Sequence, residues 1–232
     1  MSFDALAPVY RAMERALAGG KLQRCRTALL PLLGDAREVL VVGEGPGRWI
    51  EAAGAVLPAA RFTVVDASAG MLARAERAWF EAGGATERIR FVHARLPGPL
   101  PGGGGGYDVI VTPFFLDCFA PDPLADVIRG LGAAAAADAR WLVCDFRVPE
   151  RGPSRWRAQA VLALAHWFFG RVTDMSARRL TDPAPWLIGQ GFRLESESVS
   201  EWGLLGAALW RRGGLPLPAR PGLGVARAAL TS

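Results

Sequence analysis

Val39-Leu40-Val41-Val42-Gly43-Glu44-Gly45-Pro46-Gly47-Arg48 is the stretch from which the fold can be read. Four successive apolar residues, three of them β-branched, read as a strand buried on both faces, and such strands belong to parallel sheets. The glycines that follow let the backbone turn without a Cβ in the way. A helix opening near Gly47 then aims its unpaired N–H groups at the space beyond the strand, where they suit a negatively charged group.

The same unit repeats outward from there. Helix from about Gly47 to Leu57 leads to strand Phe62 to Val65, helix Ala69 to Glu81, strand Ile89 to Val92 and strand Tyr107 to Val111. Helix from about Asp122 to Ala136 leads to strand Trp141 to Phe146, and a long helical stretch spans about Ser154 to Val172. Strands alternating with helices of about ten residues or more predict right-handed crossovers and a doubly wound α/β sheet of the Rossmann-like kind. Phe192 to Val199 and Leu204 to Trp210 break the alternation. Ser200-Glu201-Trp202-Gly203 between them is too short for a crossover, so they predict an antiparallel hairpin closing a mostly parallel sheet of seven strands.

With 232 residues, 51% of them hydrophobic, the chain suits a single domain with a full core. That domain is expected over 1–212, opened by a helix over about 9–33 in which Pro8 suits the first turn and Gly19-Gly20 marks a break. A Pro/Gly-rich tail over 213–232 is expected to be disordered, and 97–106, with its run of five glycines, to be poorly ordered. No internal repeat is present.

Charge and composition exclude several functions. The net charge is +5, but Arg211, Arg212, Arg220 and Arg227 all follow the last acid, Glu201; without them basic and acidic side chains nearly balance. A concentrated basic surface, the footprint of nucleic-acid binding, is therefore not expected. The longest apolar stretch, about Ala158 to Phe169, is interrupted by Gln159 and His166 and is too short to span a bilayer. Asp4, Arg11, Glu14 and Arg15 interrupt the segment where a secretion signal needs an apolar run. Cys25, Cys118 and Cys144 are widely spaced with no CxxC pairing, and His93 and His166 are the only histidines. These features argue against a disulfide framework and a metal site, and for a reducing, cytoplasmic setting.

The glycine loop reads as a cofactor cradle. A dinucleotide fingerprint needs a third glycine where this chain has Arg48, which argues against a nicotinamide-dependent oxidoreductase. The triphosphate loop needs a lysine after its glycines, and the one lysine is Lys21. The G-x-G-x-G form instead resembles motif I of class I S-adenosylmethionine-dependent methyltransferases. Val64-Val65-Asp66 extends the likeness, because that family places a ribose-binding acid at the end of the second strand. A carboxylate there accepts two hydrogen bonds from a vicinal diol. The terminal hairpin is also shared, and the likeness spans about residues 36 to 211. Val9-Tyr10-Arg11-Ala12-Met13-Glu14 and Phe114-Phe115-Leu116-Asp117-Cys118-Phe119 are similar to a bacterial, small-molecule-type group within the family.

The resemblance implies S-adenosylmethionine as cofactor and a site of Tyr10, Gly43, Glu44, Gly45, Gly47, Asp66, Ala67, Met71, Ala94, Arg95, Thr112 and Phe114. Two departures stand out. Val41 occupies a position where the family often has an acid, which assigns the methionine amino group to Glu44. Near Ala94 and Arg95 the adenine-binding acid is absent. These gaps motivate one alternative, a non-catalytic S-adenosylmethionine-binding protein of the same fold.

Methyl transfer is in-line displacement on an already activated donor, so alignment and exclusion of water are the main requirements. The acceptor, a small molecule methylated at O, N or C, is expected beyond the strand ends near Thr112 to Asp117. Asp117 and His166 are the candidate bases, with Tyr10 a weaker third. The plainer readings are a turn-capping Asp117 and a core-packed His166. Tyr10, Phe114 and Phe115 offer π faces to a sulfonium. Arg147, Arg151, Arg155 and Arg157 read more simply as a solvated helix start than as an anion site. The sequence leaves the oligomeric state open.

Overall fold

The computed structural model describes residues 20–100, 105–149, 156, 158 and 180–213. The expected features at Tyr10, His166, Arg151, Arg155, Arg157, most of the helix over 154–172, the glycine run at 101–104 and the tail beyond 213 lie outside these residues.

The stretch Glu38–Val42 forms β1, with every residue from Val39 onward at most 1% exposed, as two-sided burial requires. It pairs in parallel with β2 (Arg61–Asp66) on one side and β4 (Tyr107–Pro113) on the other. With β3 (Ile89–His93), β5 (Ala135–Phe146), β6 (Phe192–Ser200) and β7 (Leu205–Arg212), the sheet order is β3-β2-β1-β4-β5-β7-β6. The last two strands run antiparallel, β7 inserted beside β5 and β6 at the edge. Seven strands, mostly parallel with a terminal hairpin, are the predicted architecture.

Helices cover both faces. α1 (Lys21–Thr27), α2 (Arg48–Val56) and α3 (Ala69–Glu81) cover the face carrying Val39, Val41, Phe62 and Val64. There Phe62 sits edge-on to Trp49 at 6.4 Å and to Trp79 at 5.3 Å, fastening α2 and α3 to β2. Each such aromatic pair contributes about 0.5–1.5 kcal/mol beyond its buried area. α4 (Pro121–Ala134) and α5 (Ala184–Gly189) cover the other face, packing on Leu40, Ile110, Trp141 and Val143.

Three boundaries differ from the sequence reading. The helix expected to run to Ala136 ends at Ala134, and β5 begins at Ala135, six residues before the expected Trp141. Ala135 pairs with Tyr107, and extra residues in β5 then bulge before Arg140 pairs with Val109, so tertiary pairing overrides the helical propensity of an alanine run. The opening helix, expected to about 33, ends at Thr27, and a short 3-10 turn at Leu30–Leu33 follows it. α5 was not anticipated, because six residues are too few to show a period. Among the described residues no helix is long and apolar enough to cross a membrane.

Candidate active site

β1 and β4 are neighbours, while the chain leaves β1 toward β2 and leaves β4 toward β5. Strand order therefore reverses between them, and a crevice opens beyond their carboxyl ends. Four pieces of chain meet there: the loop after β1, the end of β2, the turn after β4 and the end of β5.

The loop bends through three left-handed glycines, Gly43 (φ 70°), Gly45 (φ 64°) and Gly47 (φ 88°). Their surroundings separate their roles. A Cβ at Gly43 would collide with the Phe115 ring, and one at Gly47 would lie 2.8 Å from the Ala75 Cα in α3. These two glycines admit protein. A Cβ at Gly45 would meet nothing within 4 Å, so this residue alone of the three borders open space.

Asp66 turns toward that bend. Its Oδ2 accepts from Gly45 N at 3.0 Å and its Oδ1 from Ser68 N at 2.9 Å. Ser68 caps α3, its hydroxyl accepting from Met71 N at 3.1 Å, which places the buried Met71 in the first turn under Asp66. Ala67 O lies 3.0 Å from His93 Nε2, and Ala94 N donates to Asp66 O at 3.1 Å; Arg95 is exposed beyond it. These backbone bonds hold the ends of β2 and β3 together.

Glu44 has a role the sequence reading did not include. Its Oε1 accepts from Trp49 N at 2.7 Å and Ile50 N at 3.3 Å, so it caps α2 in place of a conventional N-cap side chain. It is 3% exposed, and Oε2 has no hydrogen-bond partner. Burial pushes its pKa up from 4.5 to about 7, against the opposing pull of the Trp49 amide and the Arg26 charge.

Thr112 is likewise committed within the protein: fully buried, its hydroxyl accepts from Trp141 Nε1 at 3.1 Å. The turn after β4 is strained, with Phe114 at φ 57°. Strain at a non-glycine residue is concentrated at functional sites. The Phe114 ring packs at 5.3 Å from Phe146 and faces the Arg26 guanidinium at 5.0 Å. Phe115 packs on Phe119 at 5.0 Å. Asp117 sits in the 3-10 turn Leu116–Cys118, 9% exposed, and accepts from Cys118 Sγ at 3.5 Å. The N-cap of α4 is Ala120 with no side-chain cap, so Asp117 does not cap that helix.

Two buried charged residues in the crevice were missed from sequence. Arg26, 3% exposed on α1, reaches the turn after β4 through Phe114. Asp145, 7% exposed, stands near the end of β5. Its pKa is driven well above the usual carboxylate range, chiefly by burial and next by the Asp117 charge. The signal for Asp145 was legible: an acid closing the apolar run Trp141-Leu142-Val143-Cys144 has no place in a strand that is only core. Arg147, by contrast, pairs with Glu197 on the neighbouring hairpin. Among the described residues no three His, Cys, Asp or Glu side chains form a metal-binding group.

Residues 39–138 match the family model of the methyltransferase domain. Solved structures share the fold. Mitomycin 7-O-methyltransferase MmcR superimposes with a TM-score of 0.68 at 20% identity, over 92% of this chain and 61% of that one. An O-methyltransferase family protein from Burkholderia thailandensis gives 0.67 at 15% identity, over 89% and 59%. Magnesium protoporphyrin IX methyltransferase ChlM from Synechocystis PCC 6803, solved with bound SAH, gives 0.61 at 16%, over 82% and 83%. The chain thus spans about three fifths of the length of the first two. Comparison with curated protein sequences finds no match. The methyltransferase-domain match runs from β1 to the start of β5, and the solved methyltransferases share the fold of the chain.

Proposed function

We propose that this protein methylates a small molecule carrying a hydroxyl or amine, held between the glycine loop and the 114–119 turn. The observation that carries the reading is the Asp66 carboxylate bonded to Gly45 N beside the open space over Gly45. In this reading Asp66 grips the ribose hydroxyls, while the loop and Arg26 border the amino-acid end of the cofactor. The bound cofactor supplies an activated methyl group on a sulfonium.

The remaining work falls to the chain. The aromatic walls Phe114 and Phe115 exclude water, and the strained turn aligns the acceptor for in-line attack. Asp117 receives the proton the acceptor gives up. An oxygen acceptor is the chemistry named for mitomycin 7-O-methyltransferase, which supports that choice. The three cysteines are free thiols, which suits a reducing cytoplasm, in a domain extending over 1–212.

Titration calorimetry with S-adenosylhomocysteine tests the cofactor site. The wild-type protein is expected to bind saturably. Asp66→Ala and Gly45→Val are each expected to weaken binding at least about tenfold, a loss of about 1.4 kcal/mol. Unchanged affinity in both variants would refute the assigned cradle.

A further inference from the structure

Asp145 takes no part in the transfer as proposed, yet it is the buried acid with the least support from the protein. Trp141 and Val143 belong to the core on the α4 face, so alternation along β5 puts Asp145 on that face, one residue from the strand end. The turn after β4 runs past it there: Phe114 N donates to Cys144 O, next along the strand. Asp145 is 7% exposed, and neither Oδ1 nor Oδ2 has a hydrogen-bond partner. The amides of Phe115 and Asp117 favour its charged form without meeting either oxygen in hydrogen-bonding geometry. Native proteins rarely leave a buried carboxyl unsatisfied, and each exception points to a missing partner or a function.

The cation that stands nearest in the chain is turned away from it. Gly206 lies opposite Asp145 in the antiparallel pair with β7, and cross-strand partners share a face. A Cβ at Gly206 would collide with the Arg147 side chain, so the Arg147 stem lies over this glycine, beside the Asp145 position. Its guanidinium nevertheless passes on to Glu197 of β6, at 2.5 Å. The ionisable groups that act on Asp145 from the other elements, among the described residues, are Asp117 and Cys118 on the turn and Cys25 on α1, all acids. Buried charges in native proteins are paired, and this surrounding is complementary to a positive one.

We propose that Asp145 anchors the methyl acceptor by a protonated nitrogen, so that the small molecule taken by this site carries a basic amine. The proposal rests on the methyltransferase reading for what becomes of the anchored molecule. The ammonium group supplies the countercharge that the protein withholds, and both orphaned oxygens gain a donor. The carboxyl proton passes to solvent as the ion pair forms. The anchoring nitrogen is distinct from the atom that is methylated, because a protonated nitrogen has no lone pair for in-line attack. A molecule presenting a carboxylate in the same place meets only acids and is rejected.

The test uses two probes of one shape, benzylamine and its neutral counterpart benzyl alcohol, added to protein labelled with 13C-aspartate at neutral pH, with and without S-adenosylhomocysteine. Benzylamine is expected to move the Asp145 carboxyl-carbon signal saturably toward the position of an ionised carboxylate, and benzyl alcohol to leave it in place. Asp145→Asn is expected to weaken benzylamine binding, followed on the ligand's own NMR signals, at least about tenfold, the scale of one charge-assisted bond. Superimposable amide spectra show that the variant has folded, and the wild-type titration decides alone if it has not. An Asp145 signal that benzylamine leaves unmoved, or equal affinity in Asp145→Asn, overturns the anchor. Failure of the wild-type protein to bind S-adenosylhomocysteine would sink the methyltransferase reading instead, while the benzylamine titration still decides whether Asp145 receives a cation.

Discussion

Glu44 makes the wild-type protein less stable as the pH rises through neutrality. The carboxyl titrates at an ordinary 4.5 when unfolded and at about 7 when buried in the loop, so the folded state holds its proton over a window where the unfolded state has released it. Where the native state binds more protons, stability falls with rising pH. The loss begins near pH 4.5 and is complete above about pH 7. At 1.36 kcal/mol per unit the full effect is about 3 kcal/mol. Glu44→Gln isolates it, because the amide oxygen can still accept from Trp49 N and Ile50 N while carrying no charge. The assay is urea unfolding of both proteins from about pH 4.5 to about pH 8. The difference in unfolding free energy is expected to swing toward the variant by about 3 kcal/mol across that range. The absolute offset between the two carries the cost of the buried amide N–H and plays no part in the argument. A difference that stays flat with pH, or one that swings toward the wild type, refutes the reasoning.

Two further outcomes follow from packing. Gly47→Ala forces a left-handed backbone on a residue with a Cβ and drives that Cβ against the Ala75 backbone, 2.8 Å away. Thermal unfolding is expected to show a loss of about 1–3 kcal/mol even without ligand. Thr112→Val keeps the shape but removes the acceptor for the buried Trp141 Nε1–H. Chemical denaturation is expected to register about 1–3 kcal/mol for the orphaned donor, with m-value unchanged.

The period-two and period-3.6 patterns are local, so the alternation of strands and helices, the parallel core of the sheet and the closing hairpin were all readable. Burial on both faces had to write itself into Val39 to Val42 as an unbroken apolar run, and a loop that bends left-handed had to be written in glycines. Asp66 was readable for the same reason, since its place at a strand end follows from chain order alone. The start of β5 was not, because Ala135 to Ala139 suits helix and strand alike and only pairing with β4 settles the matter.

The site divides along the same line. From the sequence came the loop, the acid at the end of β2 and the turn bearing Asp117. Contacts between distant segments came only with the tertiary structure: it turned Glu44 into a helix cap, spent two of the three glycines on Phe115 and Ala75, and brought Arg26 and Asp145 into the crevice. Burial, proton affinity and partnership are properties of what surrounds a side chain, and the surroundings of Asp145 are assembled from residues 25, 115, 117 and 118, too far along the chain for any local pattern to record.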